Sequence, residues 1–157
     1  MKQLKLALGL TAMVATGAAL AQTPTPYGSP VTLDMAKKCL AAGEDFSKKN
    51  NFLMAIAVVD TAGHLVAFSK MDQTQTASVR IAQEKAITAA NFRRPSKVFE
   101  DAVKDRPAVL GLGVMPIEGG IPINIDGKIV GAVGASGGTA PQDGTVSRAC
   151  LDALGSK

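Results

Sequence analysis

Few residues in this chain have side chains suited to chemistry, and they gather in two blocks with one lysine between them. The first block is Asp60-Thr61-Ala62-Gly63-His64, and His64 is the sole histidine of 157 residues. A His-rich metal centre is therefore excluded. His64 is left as an iron ligand, a base or an exposed residue at a hairpin turn, imidazole being the side chain most often used for metals at neutral pH. Asp60 and Asp72 bracket the same segment and could orient a ligand, although turn acids usually serve as local hydrogen-bonders. The second block runs from Gly119-Gly120 through Gly131 to Ser136-Gly137-Gly138-Thr139. Its glycines leave backbone bare at both ends of one hairpin, as a compact ligand or a closely docked neighbour requires. The amides of Ser136, Gly137, Gly138 and Thr139 would sit at a helix N-terminus, where carboxylates are attracted. Lys85 lies among alanines between the blocks. It could neutralise a bound carboxylate, act as an amine, or pair at the surface with a neighbouring acid.

Several chemistries are absent. There is no Gly-x-Ser-x-Gly elbow, and Ser136 has no plausible His partner, so a serine hydrolase is disfavoured. Gly111-Leu112-Gly113 is too isolated to be a nucleotide loop, and no Walker pattern appears. No Cys-x-x-Cys occurs, which argues against thiol redox catalysis. With no Trp, one Tyr (Tyr27) and no long Lys/Arg run, no nucleic-acid surface is indicated. Cys39 and Cys150 either form a bridge, as an even count in an oxidising compartment invites, or are two small buried residues in helix stripes.

The N-terminus reads as a secretory signal over residues 1–21: Lys2 and Lys5, a short apolar core from Leu6 to Val14, and a small-x-small site at Ala19-Leu20-Ala21. The core is shorter than the roughly 20 apolar residues of a membrane span. Periplasmic or secreted localisation is expected, with no membrane span in the mature chain. Two of the charges behind the formal +4 lie in this segment, so the mature protein is only mildly basic. Residues 22–31, with Pro24, Pro26 and Pro30, read as a flexible, extended leader. Residues 32–157 are long enough for one domain.

Within that domain, Thr32 can cap a helix over 33–49, with Leu33, Ala36, Leu40 and Gly43 inward and Cys39 at the border. The β-branched run 52–60 and the segment 64–71 form a hairpin. A helix over 76–91 places Val79, Ala82, Ala86 and Ala89 on one face, letting it lie close to a sheet. Ser96 can cap a short helix to about residue 104, and 109–115 reads as a short strand. Two strands then flank the turn Asp126-Gly127, pairing Ile125 with Lys128, Ile123 with Val130 and Ile121 with Ala132. Gly131 thereby faces Pro122 across a shallow notch. Thr139-Ala140-Pro141-Gln142 is a capping box opening the last helix, with Val146, Ala149, Cys150 and Ala153 inward. The expected class is α+β with a mostly antiparallel five-stranded sheet flanked by helices.

The blocks Val58-Val59-Asp60-x-x-Gly63-His64-Leu65, Lys70-Met71-Asp72, Ala82-x-x-Lys85-Ala86-x-x-Ala89, Gly119-Gly120-x-Pro122-Ile123 and Val130-Gly131-Ala132-Val133-Gly134-x-Ser136-Gly137-Gly138, followed by Asp143, resemble the GlcG/HbpS family. That family includes the C-terminal domain of PduO-type proteins. The resemblance spans about residues 32–154 and implies a profilin-like fold, homo-oligomers, and binding of haem or a related tetrapyrrole. Iron ligation in the family varies between His and Thr, which keeps His64 as a candidate metal ligand here. The chain departs from the family pattern at Gln73-Thr74, where a Gly-Ala pair often follows Met-Asp. The expectation is an exported protein that sequesters, passes on or slowly degrades haem, its propionates near Lys85 and the Ser136–Thr139 amides. The alternatives are a small hydroxy-acid binding or metabolising protein using the same Lys85 and glycine amides, and an oligomeric scaffold whose glycines serve only close packing.

Overall fold

A computed structural model describes residues 23–156. The expected signal segment 1–21 lies outside the described residues. Helix α1 (Leu33–Lys49) starts where Thr32 accepts a hydrogen bond from the Met35 amide at 3.2 Å. Strands β1 (Ala55–Val59) and β2 (Leu65–Lys70) form the first hairpin, followed by helices α2 (Ser78–Phe92) and α3 (Lys97–Asp105). Strands β3 (Gly120–Ile125) and β4 (Lys128–Ser136) form the second hairpin, and helix α4 (Ala140–Leu154) closes the domain.

The sheet has four strands, not five, in the order β2-β1-β4-β3, with every neighbour antiparallel. The missing strand is the one expected over 109–115. Residues Pro107–Leu112 instead form a 3-10 helix with no buried residue. Pro107 lacks an N–H and suits a first helical turn, and Gly113 ends the turn at φ 69°. The Met115 amide is satisfied by the Thr88 hydroxyl at 2.8 Å rather than by a strand partner.

β1 is buried along its whole length because both faces are covered. Ala55, Ala57 and Val59 face α2, packing with Ala82, Ala86, Ala89, Ala90 and Ala132. Ile56 and Val58 face α1 and α4, in a core with Val133, Val146, Cys39 and Cys150. Cys39 and Cys150 are joined by a disulfide, linking α1 to α4 across 111 residues of sequence. The alanine face of α2 serves the purpose expected of it: at Gly134 a Cβ would strike the Ala82 carbonyl and approach the Ala86 Cβ to 3.1 Å, so helix and sheet touch almost backbone to backbone.

Two local expectations change. The β3–β4 register slips at an irregularity between Ile123 and Asn124, so Ile123 pairs with Gly131, Pro122 with Ala132 and Ile121 with Val133. The described part of the leader is extended but docked. The pairing of β1 with β4 ends at Val59 and Ala132, and residues 26–31 continue along β4 in its place. Ile129 donates to Pro26, while Gly28 and Val31 donate to the carbonyls of Ile129 and Val130. Tyr27 anchors this segment, its hydroxyl donating to the Ala90 carbonyl at 2.7 Å beneath the Arg93 guanidinium.

Candidate functional site

Lys85 is carried under α2 by its alanine neighbours and is only 1% exposed. Its Nζ lies 2.6 Å from Asp143 Oδ2 and donates to the Ala135 carbonyl at 3.2 Å. Asp143 projects from the first turn of α4, and its Oδ1 accepts from the Gly138 amide at 3.0 Å. Burial lifts the Asp143 carboxyl above its ordinary range, by more than Lys85 and the Gly138 and Gly137 amides pull it down. Lys85 is thus neither an amine open to ligand nor a surface lysine. It forms a dry ion pair between two layers, in which each charge is tolerated because the other is present.

The glycines around this pair are space for the chain itself. Gly119 takes φ 131°, and a Cβ there would stand 3.0 Å from Lys85 Nζ and 2.9 Å from the Asp143 Cβ. At Gly120 a side chain would enter the Lys85 carbonyl, and at Gly137 the Leu53 carbonyl. Gly131 sits where β1 ends and the docked leader begins, and a Cβ there would strike the Val59 carbonyl and stand 3.0 Å from Val31 Cγ1. The notch read beside it is therefore filled. The helix entry is likewise occupied from within: Asp143 takes the Gly138 amide and Gln142 Oε1 takes the Thr139 amide at 2.9 Å. Ser136 donates to the Ser78 hydroxyl at 3.2 Å. Where a propionate cradle was expected, the Lys85 ammonium and the Gly138 and Thr139 amides are paired with the protein's own side chains, Ser136 bonds to Ser78, and the space at Gly131 and Gly137 is met by the chain itself.

Open concave surface lies elsewhere. One cavity of about 280 Å³ is bordered by Gly119 and Gly120 together with Pro95, Val98, Ile121 and a charged rim. Ser96 holds the wall residue Gly120 in place: expected as a helix cap, it instead uses its hydroxyl to donate to the Ile117 carbonyl and accept from the Gly120 amide. A second cavity, of about 300 Å³, lies between α2 and the stretch after the 3-10 helix, lined by Glu84, Ile87, Thr88, Gly113, Val114 and Met115.

The turn that carries His64 meets the wall of the second cavity through Gly63. The Asp60 carboxylate accepts from the Ala62 and His64 amides at 2.8 and 2.9 Å, which shapes the turn. Desolvation alone would raise the Asp60 carboxyl, but those amides and the His64 ring outweigh it and hold it below its ordinary value. The His64 side chain is 81% exposed, with Nδ1 3.4 Å from Asp60 Oδ2, so Nε2 is the ring nitrogen left for a metal. Ile87 links turn and cavity: it lies 3.5 Å from the Cβ position of Gly63 and forms part of the cavity wall. Among the described residues no group of three or more His, Cys, Asp and Glu side chains is placed to hold a bare metal ion, and no helix is long and apolar enough to cross a membrane.

Asp143 and Glu118 were not among the residues singled out for function. Asp143 had two sequence signals, its place at the end of the family blocks and its position in the first turn behind a capping box, but neither names its partner, 58 residues away. Glu118 had only its position before the Gly-Gly pair.

Residues 31–152 match the family described as haem degrading protein HbpS-like. Protein GlcG of Escherichia coli strain K12 is 44% identical over 104 residues, covering 65% of this chain and 78% of GlcG. The crystal structure of Klebsiella pneumoniae protein ORFY superposes with a TM-score of 0.77 at 26% identity, over 86% of this chain and 97% of that one. A crystal structure of a PduOC:heme complex shares the fold, with a TM-score of 0.76 at 22% identity over 82% of this chain and 97% of that one. With a described fold that matches these structures and a family match over nearly all of the domain, the chain belongs to the HbpS-like family.

Proposed function

We propose that this chain is an exported haem-binding protein that holds haem or passes it on. The observation that carries the reading is the exposed His64 imidazole on a turn whose Gly63 packs against Ile87, a wall residue of the second cavity, in a family described by haem and in a fold that a relative carries in complex with heme. The donor set suits the group: Nε2 is a neutral nitrogen ligand for iron, Ile87 and Val114 offer an apolar wall, and the Met115 thioether lines the same space. The Asp60 carboxylate behind Nδ1 would fix the tautomer that leaves Nε2 as the ligating nitrogen. Export is supported by the signal pattern over residues 1–21 and by the Cys39–Cys150 disulfide, a bond that persists in oxidising compartments. Self-association into a homomer is supported by the exposed Leu110, Leu112 and Ile117.

Titration of the purified protein with hemin tests the reading. A saturable Soret shift is expected, and its position should change in His64→Ala while the fold persists. A wild-type response no larger than that of the unfolded protein would end it; an unaltered spectrum in His64→Ala would move the iron ligand to Met115 or another residue.

A further inference from the structure

The cavity bordered by Gly119 and Gly120 has a feature that packing does not explain. Glu118 lies on its wall with only 15% of its side chain exposed, yet its carboxylate accepts no hydrogen bond among the described residues. Its charged neighbours stand off. Lys97 Nζ is 3.8 Å from Oε2 and Arg148 is 3.8 Å from Oε1, one cation on each oxygen and both beyond hydrogen-bond range. A largely buried carboxylate normally collects donors at close range. This one instead leaves its oxygens open to the cavity and to solvent, for among the described residues the one fully buried side-chain oxygen or nitrogen without a partner is Asn124 Oδ1.

The surroundings keep it there. Its own amide is fixed to Glu100 Oε2 at 2.6 Å, which anchors the backbone. Across from it, α4 carries Gly144 in the helix body, a position where glycine lowers helix stability relative to alanine. A Cβ at Gly144 would stand 2.5 Å from Glu118 Oε1 and 3.0 Å from its Cδ, so the glycine is the room in which the carboxylate lies. The rim cations are not equally committed. Lys97 also reaches Asp101 at 3.4 Å, and Asp101 is taken by Lys104 at 3.0 Å. Arg148 has no contact with a carboxylate other than the long one to Glu118 among the described residues.

We propose that this cavity binds a small zwitterion of the α-amino-acid type. Its ammonium would donate to Glu118, its carboxylate would pair with Arg148, and its side chain would lie on Pro95, Val98 and Ile121. A plain cation is disfavoured by Lys97 and Arg148 at the rim, and a plain anion by Glu118 and Asp101. Only a ligand carrying both charges matches both poles. The roughly 280 Å³ of space suits a molecule of that size. The inference is independent of haem, because none of its residues lines the cavity beside His64.

The test uses three probes of similar shape: L-leucine, isovalerate (acid only) and isopentylamine (amine only). Amide chemical shifts of Gly119, Gly120 and Ile121 report binding to the purified protein. Leucine should shift them saturably at millimolar concentration, with half-saturation about tenfold or more below that of either single-charge probe, as expected for one added charge-assisted contact. Glu118→Gln and Arg148→Gln should each weaken leucine binding by a similar factor. Gly144→Ala keeps every charge but displaces the Glu118 carboxylate, and should weaken binding while the melting temperature holds or rises. Absence of a saturable shift with leucine would overturn the proposal, as would equal binding of leucine and isovalerate, or undiminished binding in both Glu118→Gln and Gly144→Ala. Hemin spectra are not affected by any of these outcomes, so this site and the haem reading fail separately.

Discussion

Two charge clusters stand on either side of Gly119, and they differ in almost every physical respect. The Lys85–Asp143 pair is dry, with an ion contact of 2.6 Å and further hydrogen bonds to the Ala135 carbonyl and the Gly138 amide. The Lys97–Glu118–Arg148 group borders open space, with contacts of 3.8 Å. In the first, partners close around both charges and nothing is left to bind. In the second, a carboxylate is held where donors cannot quite reach it. The lesson is that a buried lysine next to glycines marks where a fold is fastened, and a loosely partnered carboxylate on a cavity wall marks where a ligand has room.

Breaking the dry pair should have the largest effect. Asp143→Ala leaves the Lys85 ammonium buried without its counter-charge and should cost about 3–5 kcal/mol of stability, measured by urea unfolding. The double variant Lys85→Met with Asp143→Leu should lose less than Asp143→Ala alone, because no orphan charge remains. A loss below about 1 kcal/mol in Asp143→Ala would mean that the pair is wetter than described.

Gly119→Ala attacks the wall that separates the clusters. The residue would have to keep φ 131° and push against Asp143 and Lys85. The backbone strain alone is about 1–3 kcal/mol, and thermal unfolding should show at least that loss. A neutral result would show that β3 can shift away from α4.

Stability against pH sharpens the contrast further. The folded state holds the Asp143 proton more tightly than the unfolded chain does, so this group's contribution falls as pH rises from 3.8 through its raised folded value. Asp60 works in the opposite sense: its folded value is lowered, so its contribution is complete above 3.8 and is lost as pH falls through that lowered value. Unfolding curves of Asp143→Asn against the parent protein, taken at several acidic pH values, should show the parent's decline with rising pH removed. A steeper decline in the variant would contradict the sign derived for Asp143.

The smallest effect on stability is expected at the open cluster. Glu118→Gln removes only long contacts and should change unfolding free energy by less than about 1 kcal/mol, measured by the same urea unfolding. A loss as large as that of Asp143→Ala would make Glu118 a fastening residue and erase the distinction between the two regions.

Much of the architecture is legible in the sequence. The helix over 33–49 and its Thr32 cap, the first hairpin, the alanine face of the second helix and the capping box before the last helix all rest on local signals. Segment 109–115 misled because an apolar run does not say whether a strand edge is free to receive it; Pro107 and Gly113 decided for a 3-10 turn. Gln73 shows a subtler gap. It adopts φ 65°, the left-handed region that favours glycine, and no local sequence signal announces that turn.

Sequence alone thus determined the family blocks, the order of most elements, and the fact that glycine and alanine would bring backbone close to backbone. Tertiary structure decided what fills the space those residues leave. Lys85 and Asp143 meet from helices 58 positions apart, and Val31 of the docked leader closes the gap at Gly131. Small residues at fixed spacing permit a close approach, but only packing in three dimensions selects whether the neighbour is a ligand or the chain itself.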